Sequence, residues 1–117
     1  MQQRIEIKLE TVKGVLLFDI HGDVTAVSKP YLREAYEDAK KQGVSKILFK
    51  FEPTVYINSA GIESLLDLFV EMKQRHQQIA ITGVSEHFKK IFKMVGISTL
   101  VDIYPSVETA VKSLSDR

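Results

Sequence analysis

Val55-Tyr56-Ile57-Asn58-Ser59-Ala60-Gly61-Ile62-Glu63-Ser64-Leu65-Leu66 is the stretch that decides the fold of this chain. An apolar strand, Lys46 to Phe51, runs out into a short loop, and the loop ends at a serine. Beyond that serine, Ile62, Leu65, Leu66, Phe69 and Met72 recur three or four residues apart and draw one apolar stripe. Glu63, Asp67, Glu71 and Arg75 lie mostly off it. The spacing predicts an amphipathic helix from about Ala60 to Arg75, with Ser59 at its start. The opening N–H groups of a helix lack intrahelical partners, and a serine hydroxyl can cap them. The same end carries about half a positive charge, which favours an anion. Ala60 and Gly61 leave that end sterically open. On the residues alone, Ser59 is either an ordinary N-cap or a place where a phosphate sits at low cost.

Upstream, Ile5, Ile7 and Leu9 alternate with Glu6, Lys8 and Glu10, the period of a half-buried edge strand. Lys13-Gly14 signals a turn. Val15-Leu16-Leu17-Phe18 then runs apolar into Asp19-Ile20, so the first two strands are expected to pair antiparallel as a hairpin. His21-Gly22-Asp23-Val24-Thr25 reads as a loop. Ser28-Lys29-Pro30 predicts a helix start, with a capping serine and a first-turn proline. Leu32, Ala35, Tyr36 and Ala39 form its inner face, and Gly43 ends it. Val44 to Phe51 is the next strand, and Ile47-Leu48-Phe49 is apolar enough to be buried on both faces.

Downstream, Gln78-Ile79-Ala80-Ile81-Thr82-Gly83 predicts a short strand. Ser85 caps a third helix with Phe88, Ile91, Phe92 and Val95 inward, and Gly96 ends it. Thr99 to Tyr104 is a last strand. Pro105-Ser106 opens a final helix with Val107, Ala110, Val111 and Leu114 inward. Strands alternating with helices after a first hairpin predict an α/β fold: one domain over residues 1–117, a mixed, mostly parallel sheet and about four helices.

The 117 residues suffice for one domain with a core and are too few for two ordinary ones. Formal net charge is +1, from 16 Lys and Arg against 15 Asp and Glu, so there is no electrostatic case for nucleic acid or an anionic membrane. Cysteine is absent, which removes disulfides, thiolate metal sites and cysteine nucleophiles, and agrees with a cytoplasmic location. No apolar run approaches the roughly 20 residues of a membrane span, and Met1-Gln2-Gln3-Arg4 opens no signal peptide. The start at Met1 suggests a complete small chain.

Enzyme signatures are missing. No Gly-x-Gly-x-x-Gly follows a strand, and Gly43-Val44-Ser45-Lys46 lacks the glycine spacing of a phosphate-binding loop. His21, His76 and His87 are scattered without ligand spacing, so no metal and no cofactor is expected. Asn58-Ser59-Ala60-Gly61 lacks the upstream glycine of a nucleophile elbow. A receiver-type phosphoacceptor fits the size, but Phe51-Glu52-Pro53 has no acceptor aspartate at the strand end.

Tyr56-Ile57-Asn58-Ser59-Ala60-Gly61-Ile62 resembles the Asp-Ser-Ser/Thr/Ala-Gly-Leu/Ile signature of the STAS family, the domain of bacterial anti-sigma factor antagonists and of sulphate-transporter tails. Phe18-Asp19-Ile20-His21-Gly22-Asp23-Val24-Thr25 is similar to the family's strand ending in Gly-Glu/Asp-Leu/Val-Asp. Phe92-Lys93-Met94-Val95-Gly96-Ile97-Ser98-Thr99-Leu100 is similar to its helix, Gly, Leu/Ile and strand run. The resemblance covers about residues 5 to 114. Two positions depart from it: Asn58 stands for the signature's Asp, and Thr25 for the aspartate of the second motif.

The resemblance implies a partner-switching module and no enzyme. In that scheme the unphosphorylated module binds an anti-sigma factor, which is also a serine kinase, and frees a sigma factor. Phosphorylation of the serine after the Asp releases the module, and a serine phosphatase resets it. Carried onto this chain, the phosphoacceptor is Ser59. The binding face is expected among Asp23, Thr25, Thr54, Tyr56, Asn58, Ser59, Ala60, Gly61, Ile62 and Glu63. Tyr56 is the aromatic best placed to anchor a partner, and the helical spacing of Ile62 puts it in the core. Two further readings stand beside this one. One is a STAS-type scaffold or adaptor that needs no phosphorylation. The other is a small nucleotide- or phosphate-binding α/β protein that uses the helix start at Ser59.

Overall fold

The computed structural model describes residues 5–116; Met1 to Arg4 and Arg117, the ends of the expected domain, lie outside the described residues. Five strands form one sheet in the order β1 (Glu6–Val12), β2 (Val15–His21), β3 (Lys46–Lys50), β4 (Gln78–Thr82) and β5 (Asp102–Tyr104). Four helices, α1 (Lys29–Lys41), α2 (Ser59–Gln74), α3 (Glu86–Met94) and α4 (Val107–Ser115), alternate with the later strands. β1 and β2 pair antiparallel, and the other pairs are parallel. This is the mixed α/β sheet that the alternation predicts. The hairpin turns at Lys13 and Gly14, both at positive φ (51° and 77°), the backbone that matches strand twist in a two-residue loop.

Period two sorts the inner strands between two cores. Leu16, Phe18 and Ile20 of β2, Ile47 and Phe49 of β3, and Ile79 and Ile81 of β4 pack under α1, α2 and α3. Val15, Leu17, Leu48 and Ala80 pack under α4, against Ala110, Val111 and Leu114. Sequential strands are neighbours, so each right-handed crossover drops its helix on the same face. α2 therefore lies between α1 and α3. Phe49 centres the larger core, stacked on Phe18 (4.6 Å between centroids) and edge-on to Phe69 (5.1 Å). A buried aromatic of this kind contributes about 1.5–3 kcal/mol of hydrophobic stabilisation.

Four local expectations are corrected. Ser28 does not cap α1. Its hydroxyl accepts from the Thr25 N–H (2.9 Å) and donates to the Asp23 carbonyl (3.0 Å), closing a 3-10 turn, Ala26–Ser28, that runs straight into α1. The chain is already helical there, so α1 has no open end to cap. The buried stripe of α2 is Gly61, Leu65, Leu68, Phe69 and Met72; Ile62 and Leu66 lie on its flank, half-buried. Val95 is exposed, because α3 ends at Met94 and Gly96 (φ 88°) turns the chain away. Residues Ile97–Thr99 form a second 3-10 turn, so β5 starts at Asp102.

The α1–α2 contact is closed by Glu71, which accepts from Arg33 Nη1 at 2.9 Å and lies 3.2 Å from Lys40 Nζ. Burial pushes the Glu71 carboxyl up. The hydrogen bonds from Arg33 and Lys40 outweigh it, so the group titrates below its ordinary range. A carboxyl lowered in the fold stabilises above its unfolded-state value, and that stabilisation is lost as pH falls through the folded-state value. Urea unfolding followed from neutral pH down should therefore show stability declining below about pH 5, with Glu71→Gln flattening part of that decline.

Candidate functional site

β2 and β3 run parallel and leave the sheet at the same end, so the loops after them emerge side by side. The Gly22 N–H donates to Glu52 Oε1 (3.1 Å), joining the two loop roots. Further out, the Val24 N–H donates to the Tyr56 carbonyl (2.9 Å), and the Asn58 N–H donates back to the Val24 carbonyl (3.2 Å). Val24 and Ile57 thus form a parallel bridge outside the main sheet, and both side chains are buried. Asp23 adds a third tie by accepting from the Tyr56 N–H at 3.2 Å.

This clamp sets the start of α2. Asn58 is extended (φ −86°, ψ 178°), and its Oδ1 accepts from the Gly61 N–H at 2.8 Å. Its carbonyl accepts from the Ile62 N–H at 2.9 Å. Asn58 is the N-cap and Ser59 is the first helical residue, one position later than the sequence suggests for the serine. Asparagine caps as well as serine does, so composition alone leaves the choice open. Gly61 decides it. A Cβ on Gly61 would lie 2.1 Å from the Val24 carbonyl oxygen, so only glycine allows the first turn of α2 to press against the bridge.

Ser59 is exposed, and its hydroxyl makes no hydrogen bond among the described residues. Asp23, Thr54, Tyr56 and Glu63 are exposed around it, Thr25, Asn58, Ala60 and Ile62 are half-buried, and Gly61 is buried. Thr25 replaces the aspartate of the second motif with a cap: its hydroxyl accepts from the Val27 N–H at 3.2 Å. Tyr56 is 57% exposed, and its ring stands edge-on to Phe88 at 6.4 Å. Asn58 and Val24 hold the site together, and an Asx cap three residues before a helical glycine is the signal that could have marked the former.

Beside the clamp lies an open groove of about 700 Å³. α4 covers only the half of its sheet face around Val15, Leu17, Leu48 and Ala80. The remaining half is charged. Lys8, Asp19 and Lys50 stand in one cross-strand row, and Glu6 faces His21 in the next. His21 Nε2 lies 3.2 Å from Asp19 Oδ1, and its Nδ1 lies 3.5 Å from Glu52 Oε1. Among the described residues no group of three or more His, Cys, Asp or Glu is placed to hold a metal ion. No described helix is long and apolar enough to cross a membrane.

The STAS domain model matches residues 6–110. An anti-sigma-B factor antagonist from Listeria monocytogenes is 25% identical over 104 residues, covering 88% of this chain and 90% of its own. Among solved structures, an anti-sigma factor antagonist from Mycobacterium paratuberculosis superposes with a TM-score of 0.80 at 14% identity, over 97% of this chain and 98% of that one. The anti-sigma factor antagonist SpoIIAA superposes in its unphosphorylated form with a TM-score of 0.72 at 15% identity, covering 96% and 98% of the two chains. The Bacillus cell fate determinant SpoIIAA in its phosphorylated form superposes with a TM-score of 0.65 at 16% identity, over 92% of this chain and 98% of that one. At these identities the solved structures show a shared fold.

Substitutions at the helix start should separate its two constraints. Gly61→Ala forces a Cβ into backbone and should cost about 2 kcal/mol or more. Asn58→Ala should cost about 1 kcal/mol through the lost cap. Asn58→Asp should stay within about 0.5 kcal/mol of wild type or exceed it, since it keeps the acceptor and adds charge where the helix dipole favours it. Urea unfolding at neutral pH reads all three.

Proposed function

The chain belongs to the STAS domain family, and from that premise we propose that it is an anti-sigma factor antagonist, switched by phosphorylation of Ser59. The unphosphorylated form binds an anti-sigma factor that is also a serine kinase, and a serine phosphatase restores it. The setting is the cytoplasm. The name borne by the Listeria relative supports the role. The observation that carries the assignment of the switch is the position of Ser59: exposed at the first position of α2, with the cap supplied by its neighbour Asn58.

The chemistry follows from that division. Ser59 Oγ attacks the γ-phosphorus of ATP held by the kinase. The bond to the β–γ bridging oxygen breaks, ADP leaves, and the hydroxyl proton passes to a base of the kinase. No capping bond is lost, because Asn58 makes it. The product adds about −1.5 to −2 charge at pH 7. At a helix N-terminus the fold tolerates that charge. A partner packed over Tyr56, Ser59 and Glu63 meets it as repulsion, bulk and desolvation. Asn58 is neutral where the family has an acid, so the residue before the phosphoserine carries no charge, and Glu63 one turn on is the carboxylate nearest in the helix.

The purified protein, incubated with ATP and each anti-sigma factor kinase encoded in the same genome, should gain a single phosphate on Ser59 by intact mass and peptide mapping. Ser59→Ala should gain none and keep binding. Ser59→Glu should weaken binding at least about tenfold, the scale of one uncompensated charge at an interface. A Ser59→Glu protein that binds as tightly as wild type contradicts the switch.

A further inference from the structure

Glu71 points to α1, where it meets Arg33 and Lys40. With Leu65, Leu68, Phe69 and Met72 buried beneath, that contact marks the flank of α2 that faces α1. The opposite flank, on the side where the strand order and right-handed crossovers put α3, carries Ile62, Leu66 and Val70 at four-residue spacing. All three are apolar, and none is fully buried: Ile62 and Leu66 are half-buried and Val70 is 39% exposed. Across the seam, α3 presents Ile91 half-buried and Met94 at 83% exposure, and Val95, just past its last turn, is 42% exposed. Tyr56 closes the end nearest Ser59, with its ring against Phe88 at the start of α3. Five large hydrophobic residues are exposed among the described residues, and only Val27 lies elsewhere. An apolar surface gathered in one place, with polar residues around it, marks an interaction site.

The rims carry opposite charge. Glu63 and Asp67 follow the solvent edge of α2, and Lys90 and Lys93 follow that of α3. From Ile62 to Val70 the seam runs about 12 Å, a little over two helical turns. We propose that this seam docks an amphipathic helix of the anti-sigma factor. The apolar stripe of that helix lies between α2 and α3, its basic flank against Glu63 and Asp67, and its acidic flank against Lys90 and Lys93. The proposal rests on the functional reading above and names the surface that reading leaves open. A helix of that kind fits in one orientation, because reversing it sets like charges face to face. One end of the docked helix then lies at Tyr56, beside Ser59. A phosphate on Ser59 meets the helix end without any movement of α2.

The test uses the full chain and the purified anti-sigma factor kinases of the same genome, with affinity read by calorimetry. Val70→Glu/Met94→Glu alters two exposed positions, so its melting temperature should stay near that of wild type. Its affinity for the kinase that binds wild type should fall tenfold or more. Lys90→Glu/Lys93→Glu should lose several-fold, most at low salt. The chain has no cysteine, so a fluorophore on Met94→Cys reports the seam alone and should change emission when that kinase is added. Seam variants that bind as wild type, while Ser59→Glu loses binding, overturn the seam and leave the functional reading standing. Wild type that binds none of the kinases removes both. Loss of self-association in Val70→Glu/Met94→Glu, with kinase affinity unchanged, assigns the seam to a second copy of the chain and overturns the proposal.

Discussion

The backbone of Val24 is the constraint on which the site depends. Its N–H and carbonyl are both held by the loop that leads into α2, at 2.9 and 3.2 Å. The two loops are tied into one ledge, and α2 is built against it. The Val24 carbonyl leaves no room for a side chain at Gly61, and Gly61 in turn receives the Asn58 cap. The helix start is thus placed by backbone contacts, with side chains free to vary around it. The departures at Thr25 and Asn58 fit this account. Both residues keep the hydrogen-bond acceptor the geometry needs, and neither keeps a charge.

The same arrangement separates holding the fold from exposing a hydroxyl. If Ser59 were the cap, a phosphate on it would cost the helix an interaction. With Asn58 as the cap, Ser59 contributes no hydrogen bond to the fold among the described residues, and its modification can leave the domain intact. Elsewhere the molecule is tied by larger effects: two cores on either side of one sheet, the Phe49 cluster, and the Glu71 contact between α1 and α2. The larger core reaches the α2–α3 seam from below, through the half-buried Ile62, Leu66 and Ile91. The seam itself is left apolar and open at one end of the candidate switch.

The order of elements was legible in the sequence because the periods are clean. Ile5 to Leu9 alternate, Leu32 to Ala39 follow a helix, and Ile47 to Phe49 are apolar without a break. Glycine and serine punctuate the boundaries. What escaped was decided by tertiary contact. Ser59 and Asn58 are both good caps, and the choice between them depends on Val24, which is more than thirty residues earlier. Ser28 looks like a helix start until Thr25 and Asp23 draw it into a turn. Ile62 and Leu66 fall within an apolar stripe, but Gly61 pressed against Val24, with Leu65, Leu68, Phe69 and Met72, takes the buried face and leaves them on the flank. Val95 keeps the inward period of α3 and yet lies beyond its last turn.

Phosphorylation of Ser59, on this mechanism, changes a surface and leaves the fold in place. The most direct measurement compares backbone amide NMR spectra of the protein with and without phosphoserine installed at position 59. Shift changes confined to residues 22–28, 54–64 and the start of α3, with an unchanged pattern across β1 to β5 and an equal or higher melting temperature, are the result this account predicts. Shift changes spread through the sheet, or a loss of the Asn58 cap seen as a released Gly61 amide, would contradict it.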